Sequence, residues 1–140
     1  EVGKTFEELA YIIEHIDDKS RIGVCMDTCH INDAGYDVSN FDVVLEEFDK
    51  IIGLSYLKCI HVNDSKNERM AHKDRHENFG FGHIGFDLLM SIIYNERLEN
   101  VTKILETSYV DREYPPYKYE INMIKSGIFD ENLKEKIREQ

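Results

Sequence analysis

Six side chains in this sequence combine metal-binding types with positions that let them meet. Asp27 and His30 stand three apart in RIGVCMDTCHIN, Asp74 and His76 flank Arg75 in KDRHE, and His61 and Glu106 each close an apolar run. Imidazole nitrogen and carboxylate oxygen are the ligands of zinc sites, and a catalytic zinc keeps one position open for water. Hydrolysis by an activated water, or acid–base chemistry, is what such a set can do. Each piece has an ordinary reading when taken alone. Asp-x-x-His recurs by chance, KDRHE suits a solvated loop, and Glu106 has Lys103 and Lys118 as candidate ion-pair partners. Arg75, between two candidate ligands, reads as a phosphate contact or as one half of a surface salt bridge. His72 and His83 lie near the same loop and read as structural or supporting residues, and His15 as a surface histidine.

The elements that must position these residues alternate. Thr5 with Glu8 is a capping-box pattern, and Phe6, Leu9, Ile12, Ile13 and Ile16 recur at helical spacing, which predicts a helix ending near 17–20. A strand over Arg21–Met26 follows, apolar or small on both faces, as expected of a parallel strand covered on both sides. NDAGYDVSN reads as a loop. Helices are expected over Phe41–Ile52 and Phe86–Tyr94, strands over Leu57–Val62 and Thr102–Thr107, and a helix after Pro116 ending near Gly127 precedes a short charged terminal helix. The stretch from Asn63 to Gly85 is longer than ordinary connections, which marks it as functional. Strict alternation implies right-handed βαβ units and a parallel sheet. Each strand carries its polar residue at its C-terminal end, where α/β folds place their sites. Three strands are too few for a closed barrel of roughly 250 residues, so the expected architecture is about half of a TIM (β/α)8 barrel.

Composition sets the outer limits. With 140 residues, 41% hydrophobic and 32% charged, the chain suits one globular domain over 1–140. No apolar run is long enough to span a bilayer, which excludes a membrane partner. The N-terminus is acidic, lacks an initiator Met and shows no signal peptide, so a piece of a longer protein is expected, whose targeting this stretch does not reveal. Cys25, Cys29 and Cys59 are odd in number and read as reduced packing residues. A net charge of −11 argues against broad electrostatic binding to nucleic acid, although a multinuclear metal site reverses its local field.

GVCMDTCH, HVNDSK, KDRHENFGFGHIG and KILETS, in that order, resemble the successive signatures of the endonuclease IV family, zinc-dependent apurinic/apyrimidinic endonucleases of base-excision repair built on a TIM barrel; YPPYKYEINMI is compatible. The resemblance runs from residue 3 to about residue 110 and implies that this chain is the C-terminal portion of such a barrel. It implies a trinuclear zinc site, with manganese tolerated by the same ligands. His30, Asp74 and His76 match the family's ligands to one zinc, and Asp27, His61 and Glu106 match ligands to a second. Glu106 and Asp74 are assigned to catalysis and Arg75 to DNA phosphate. A bridging glutamate and two further histidines of the family lie upstream of Glu1, so one site is complete here, one partial and the third missing. Phe81 departs from the charged residue more usual in the family's GxGxIG loop, which bears on loop packing or DNA contact.

The implied reaction is hydrolysis of the phosphodiester 5′ to an abasic site in duplex DNA by a zinc-activated hydroxide, leaving 3′-hydroxyl and 5′-deoxyribose phosphate. A cytoplasmic enzyme of bacterial type, monomeric when complete, is expected, with nucleus or organelle as its place in a eukaryote. Two alternatives stand beside it: a metal-dependent TIM-barrel sugar isomerase or epimerase, against which the DRH pair and glycine loop speak, and an inactive fragment lacking the N-terminal ligands.

Overall fold

The computed structural model describes residues 3–140. It opens with α1 (Phe6–Glu14), where the Thr5 hydroxyl accepts the Glu8 N–H at 3.2 Å while the Glu8 carboxylate turns back to the N–H groups of Gly3 and Lys4. The helix stops earlier than its apolar spacing suggests. Asp18 accepts the Ser20 N–H and seeds a 3-10 turn over Lys19–Arg21, which also delays the first strand.

That strand, β1, is Val24–Asp27. It runs directly into α2 (Thr28–Ala34), part of which had read as loop. Asp27 caps the helix through the His30 N–H at 3.0 Å. Gly35, at φ 110°, ends it, and the Tyr36 N–H closes back on the Ile31 carbonyl. After α3 (Phe41–Ile51) come β2 (Leu57–His61), an antiparallel ribbon of β3 (Asp64–Ser65) and β4 (His76–Glu77), α4 (Phe86–Ile93), β5 (Thr102–Ile104), α5 (Tyr117–Ser126) and α6 (Leu133–Arg138). The long polar stretch is therefore not structureless: its start pairs with its middle, Asp64 with Glu77 and Ser65 with His76.

β1, β2 and β5 form one parallel sheet in the order β1-β2-β5, as the alternation predicts. This is a partial α/β unit of about three βα units, the size expected of a part-barrel. Val24, Met26, Ile60 and Val62 are buried in one core cluster with Leu45 and Phe48 of α3 and Leu89 and Ile92 of α4. The opposite face is open among the described residues, as half of a barrel leaves it. Cys25 is exposed there, Cys59 is half-buried, and Ile104 is 42% exposed. The helices of consecutive right-handed βαβ units all fall on one side of their sheet, and nothing among the described residues covers the other. No helix among them is long and apolar enough to cross a membrane.

Candidate metal centre

Asp27 and His61 are register partners at the C-terminal ends of β1 and β2, so the pleat sends both side chains to the open face at one level. Glu106 joins them from beyond β5. The strand ends at Ile104 rather than Thr107, because the Glu106 N–H leaves the ladder for the Asn63 side-chain carbonyl at 2.8 Å. His61 Nδ1 lies 2.8 Å from Glu106 Oε2 and 3.8 Å from Asp27 Oδ2. One ligand atom from each of the three falls within 4.8 Å of the others.

A second group adjoins it. The β3–β4 ribbon delivers His76, whose Nε2 lies 3.1 Å from Asp27 Oδ2 and whose Nδ1 meets the Glu106 carbonyl oxygen at 2.9 Å. Asp27, Cys29, Asp74 and His76 bring one atom each within 4.8 Å. His30 does not belong to that group, although its Nδ1 reaches Asp74 Oδ2 at 3.2 Å. The six residues thus share one patch, but His76 pairs with Asp27 rather than with His30. Cys29, read as a packing residue, is fully buried and also adjoins the patch. Burial pushes its thiol up to about 12. Arg75 is exposed and makes no ion pair among the described residues. His72 and His83 are exposed, and the His83 N–H donates to the Ser65 carbonyl.

Four residues that the sequence reading passed over fix this geometry. Asn63, fully buried, donates to Asp27 Oδ2 at 2.9 Å while accepting from the Glu106 N–H, so one amide ties two candidate ligands together. Thr28 locks Asn63 through its main-chain N–H and carbonyl. Asp33, buried in α2, accepts the Asp74 N–H at 2.8 Å and the Ser65 hydroxyl at 2.7 Å. Asp64 accepts the N–H groups of Ser65, Gly82, Ile84 and Gly85 and gathers the glycine loop. The visible signal was the Asn-Asp pair that follows His61 and Val62. Phe81 faces away from the patch, packed against Phe129 at 5.0 Å with Lys134 Nζ over its ring.

The electrostatics favour a cation. Burial opposes ionisation of Asp27, but His76, the His30 N–H and the Asn63 amide outweigh it and hold the carboxyl below its ordinary value. His76 is raised to about 9, chiefly by its hydrogen bond to Asp27, against the opposing effect of burial. An imidazolium thus supplies positive charge where several carboxylates converge. Oxygen and imidazole donors at strand ends, cross-braced by buried hydrogen bonds, fit Zn2+ or Mn2+.

Comparison with known proteins places this chain in a family. The model of the xylose isomerase-like TIM barrel family matches residues 1–127. A probable endonuclease 4 of Oceanobacillus iheyensis is 60% identical over 144 aligned positions, covering 99% of this chain and 48% of the relative. One from Acholeplasma laidlawii is 58% identical, covering 98% of this chain and 47% of the relative. The crystal structure of endonuclease IV from Thermus thermophilus superposes with a TM-score of 0.76 at 32% identity, over 91% of this chain and 45% of that one. The chain spans about half the length of the curated relatives it matches. With the parallel half-sheet, the strand-end ligand types and these likenesses in agreement, the chain belongs to the endonuclease IV family of TIM-barrel proteins and corresponds to its C-terminal portion.

Proposed function

We propose that this chain contributes the C-terminal half of the active site of a DNA-repair endonuclease that hydrolyses the phosphodiester 5′ to abasic sites in duplex DNA, leaving 3′-hydroxyl and 5′-deoxyribose phosphate. The observation that carries the proposal is the convergence of Asp27, His61 and Glu106, with Asp74 and His76 beside them, at the C-terminal ends of parallel strands. Asp27, His61 and Glu106 would hold one zinc, and His30, Asp74 and His76 another, with three zincs in the complete enzyme. Bound zinc supplies Lewis acidity toward phosphate oxygens and lowers the pKa of water near it. Asn63 orients Asp27 and Glu106. Loss of the His76 proton, held by Asp27, frees both for a cation. The exposed Arg75 guanidinium sits beside Asp74 and His76 in the chain, where its paired N–H groups suit a phosphate oxygen pair. A DNA lacking a base is the duplex whose sugar–phosphate turns out at least cost. The complete protein acts as a cytoplasmic monomer.

Abasic-site oligonucleotide duplexes, incubated with the chain and Zn2+ or Mn2+, test this. Metal-dependent binding in preference to an intact duplex, weakened in His76→Ala, is expected. Incision is not expected from the chain alone, which spans about half the length of its curated relatives. Equal affinity for both duplexes with and without metal would overturn the substrate assignment, and ketose–aldose interconversion would favour the isomerase reading.

A further inference from the structure

Below the carboxylate patch, on the same open face, lies a second cluster that the endonuclease reading does not use. Cys25 and Cys59 are register partners across β1 and β2, and His61 is two residues on from Cys59, on the same side of its strand. The two sulfurs and one ring nitrogen of His61 all lie within 4.8 Å of one another. Tetrahedral coordination with metal–sulfur bonds of about 2.3 Å sets two sulfurs about 3.7 Å apart, so rotamer adjustment alone brings these together. Both thiols are free, with Cys25 exposed and Cys59 half-buried among the described residues.

We infer that Cys25, Cys59 and His61 form a separate site for a thiophilic divalent cation, of the Cd2+ or Zn2+ class. Two sulfurs and an imidazole are a softer donor set than the neighbouring pair of carboxylates with the same imidazole, so the two sites sort cations by softness. His61 is common to both. Its Nδ1 lies 2.8 Å from Glu106 Oε2, so a cation at the sulfurs that takes this nitrogen withdraws His61 from the carboxylate site. Binding is a proton exchange, M2+ plus two thiols giving a bis-thiolate complex and two H+. None of this depends on the reaction proposed above.

The test is titration of the reduced chain with Cd2+ alone, followed by the ultraviolet sulfur-to-metal charge-transfer band. The band should saturate at one equivalent, be lost in Cys25→Ser and in Cys59→Ser, and persist in Cys29→Ser and Glu106→Gln. No band at one equivalent, or a band that survives in the double Cys25→Ser, Cys59→Ser variant, would overturn the assignment. A measurement free of substitutions guards against variants that do not fold. Cd2+ should slow alkylation of Cys25 and Cys59 in the native chain several-fold, read by peptide mass spectrometry, and unchanged rates count against the site.

Discussion

Asp27 holds two offices that substitution can separate. Its Oδ1 caps α2 through the His30 N–H, and its Oδ2 faces His76 and the Asn63 amide. Asn caps helices as well as Asp does, so Asp27→Asn should leave the helical circular dichroism intact while His76 titrates nearer its ordinary 6.5 instead of about 9, read by NMR of the imidazole. The same pair sets a pH dependence. A histidine raised in the folded state stabilises fully below its ordinary value and loses that contribution as pH climbs through its folded value. In chelator-treated protein the urea midpoint should therefore fall between pH 6.5 and about 9. Asp27 is depressed, so its share is lost on the acid side, as pH falls through its folded value. Asn63→Ala removes the amide that joins Asp27 to Glu106. Stranding these part-buried groups should cost roughly 1–3 kcal/mol of stability, and zinc affinity should drop roughly 10–100-fold by equilibrium dialysis.

Among the elements, the β3–β4 ribbon and the glycine loop hold each other. A Cβ on Gly82 would sit 2.3 Å from the Ser65 carbonyl oxygen and 2.5 Å from Asp64 Oδ1. Gly82→Ala must push backbone aside and break the Asp64 hydrogen bonds. Its expected cost is about 1–3 kcal/mol by urea denaturation, with fast hydrogen exchange appearing at Ile84 and Gly85. The parallel sheet, α3 and α4 were legible because their apolar residues keep strict period over enough length. α2 was missed because seven residues are too few to show a period, and its Asn, Asp and Gly also spell turns; the cap at Asp27 and the stop at Gly35 were its only marks. The ribbon is two residues per strand and owes its existence to a side chain distant in sequence, Asp33, which accepts from Ser65 and Asp74. The proximity of Asp27, His61 and Glu106 was legible from chain position, since strand C-termini converge in this topology. The pairing of His76 with Asp27 was not, because it depends on how a long loop folds back.

At the scale of the whole chain, the open sheet face and the apolar groove beside it dominate. Ile104 and Ile121 are each more than 40% exposed, and a groove of about 400 Å3 runs between β5 and α5 past Val62, Leu105 and Ile124. β1 and β5 are also the edges of the sheet, and uncovered edges and apolar patches promote association. The chain should sediment with concentration-dependent mass, and Ile104→Lys should suppress that while moving the melting temperature little, because the side chain is already half in solvent. Zinc binding the folded chain should raise the melting temperature by linkage, by about 2.7 kcal/mol of stability at 100-fold excess over Kd.

The segment carrying Asp74 and His76 is pinned before any ligand arrives. The Met70 and His72 N–H groups donate to the carbonyls of Asn32 and Asp33, the Asp74 N–H donates to the Asp33 carboxylate, and Met70, His72 and Asp74 all hold left-handed backbone. Ordering a free loop of this length costs about 1–2 kcal/mol of backbone entropy per residue, and here that loss is incurred when α2 forms rather than when a cation binds. Calorimetry of metal binding should then report an entropy gain dominated by released water and protons, with little offset from chain ordering. Asp33→Ala should shift that balance, turning a site assembled by folding into one assembled by its metal.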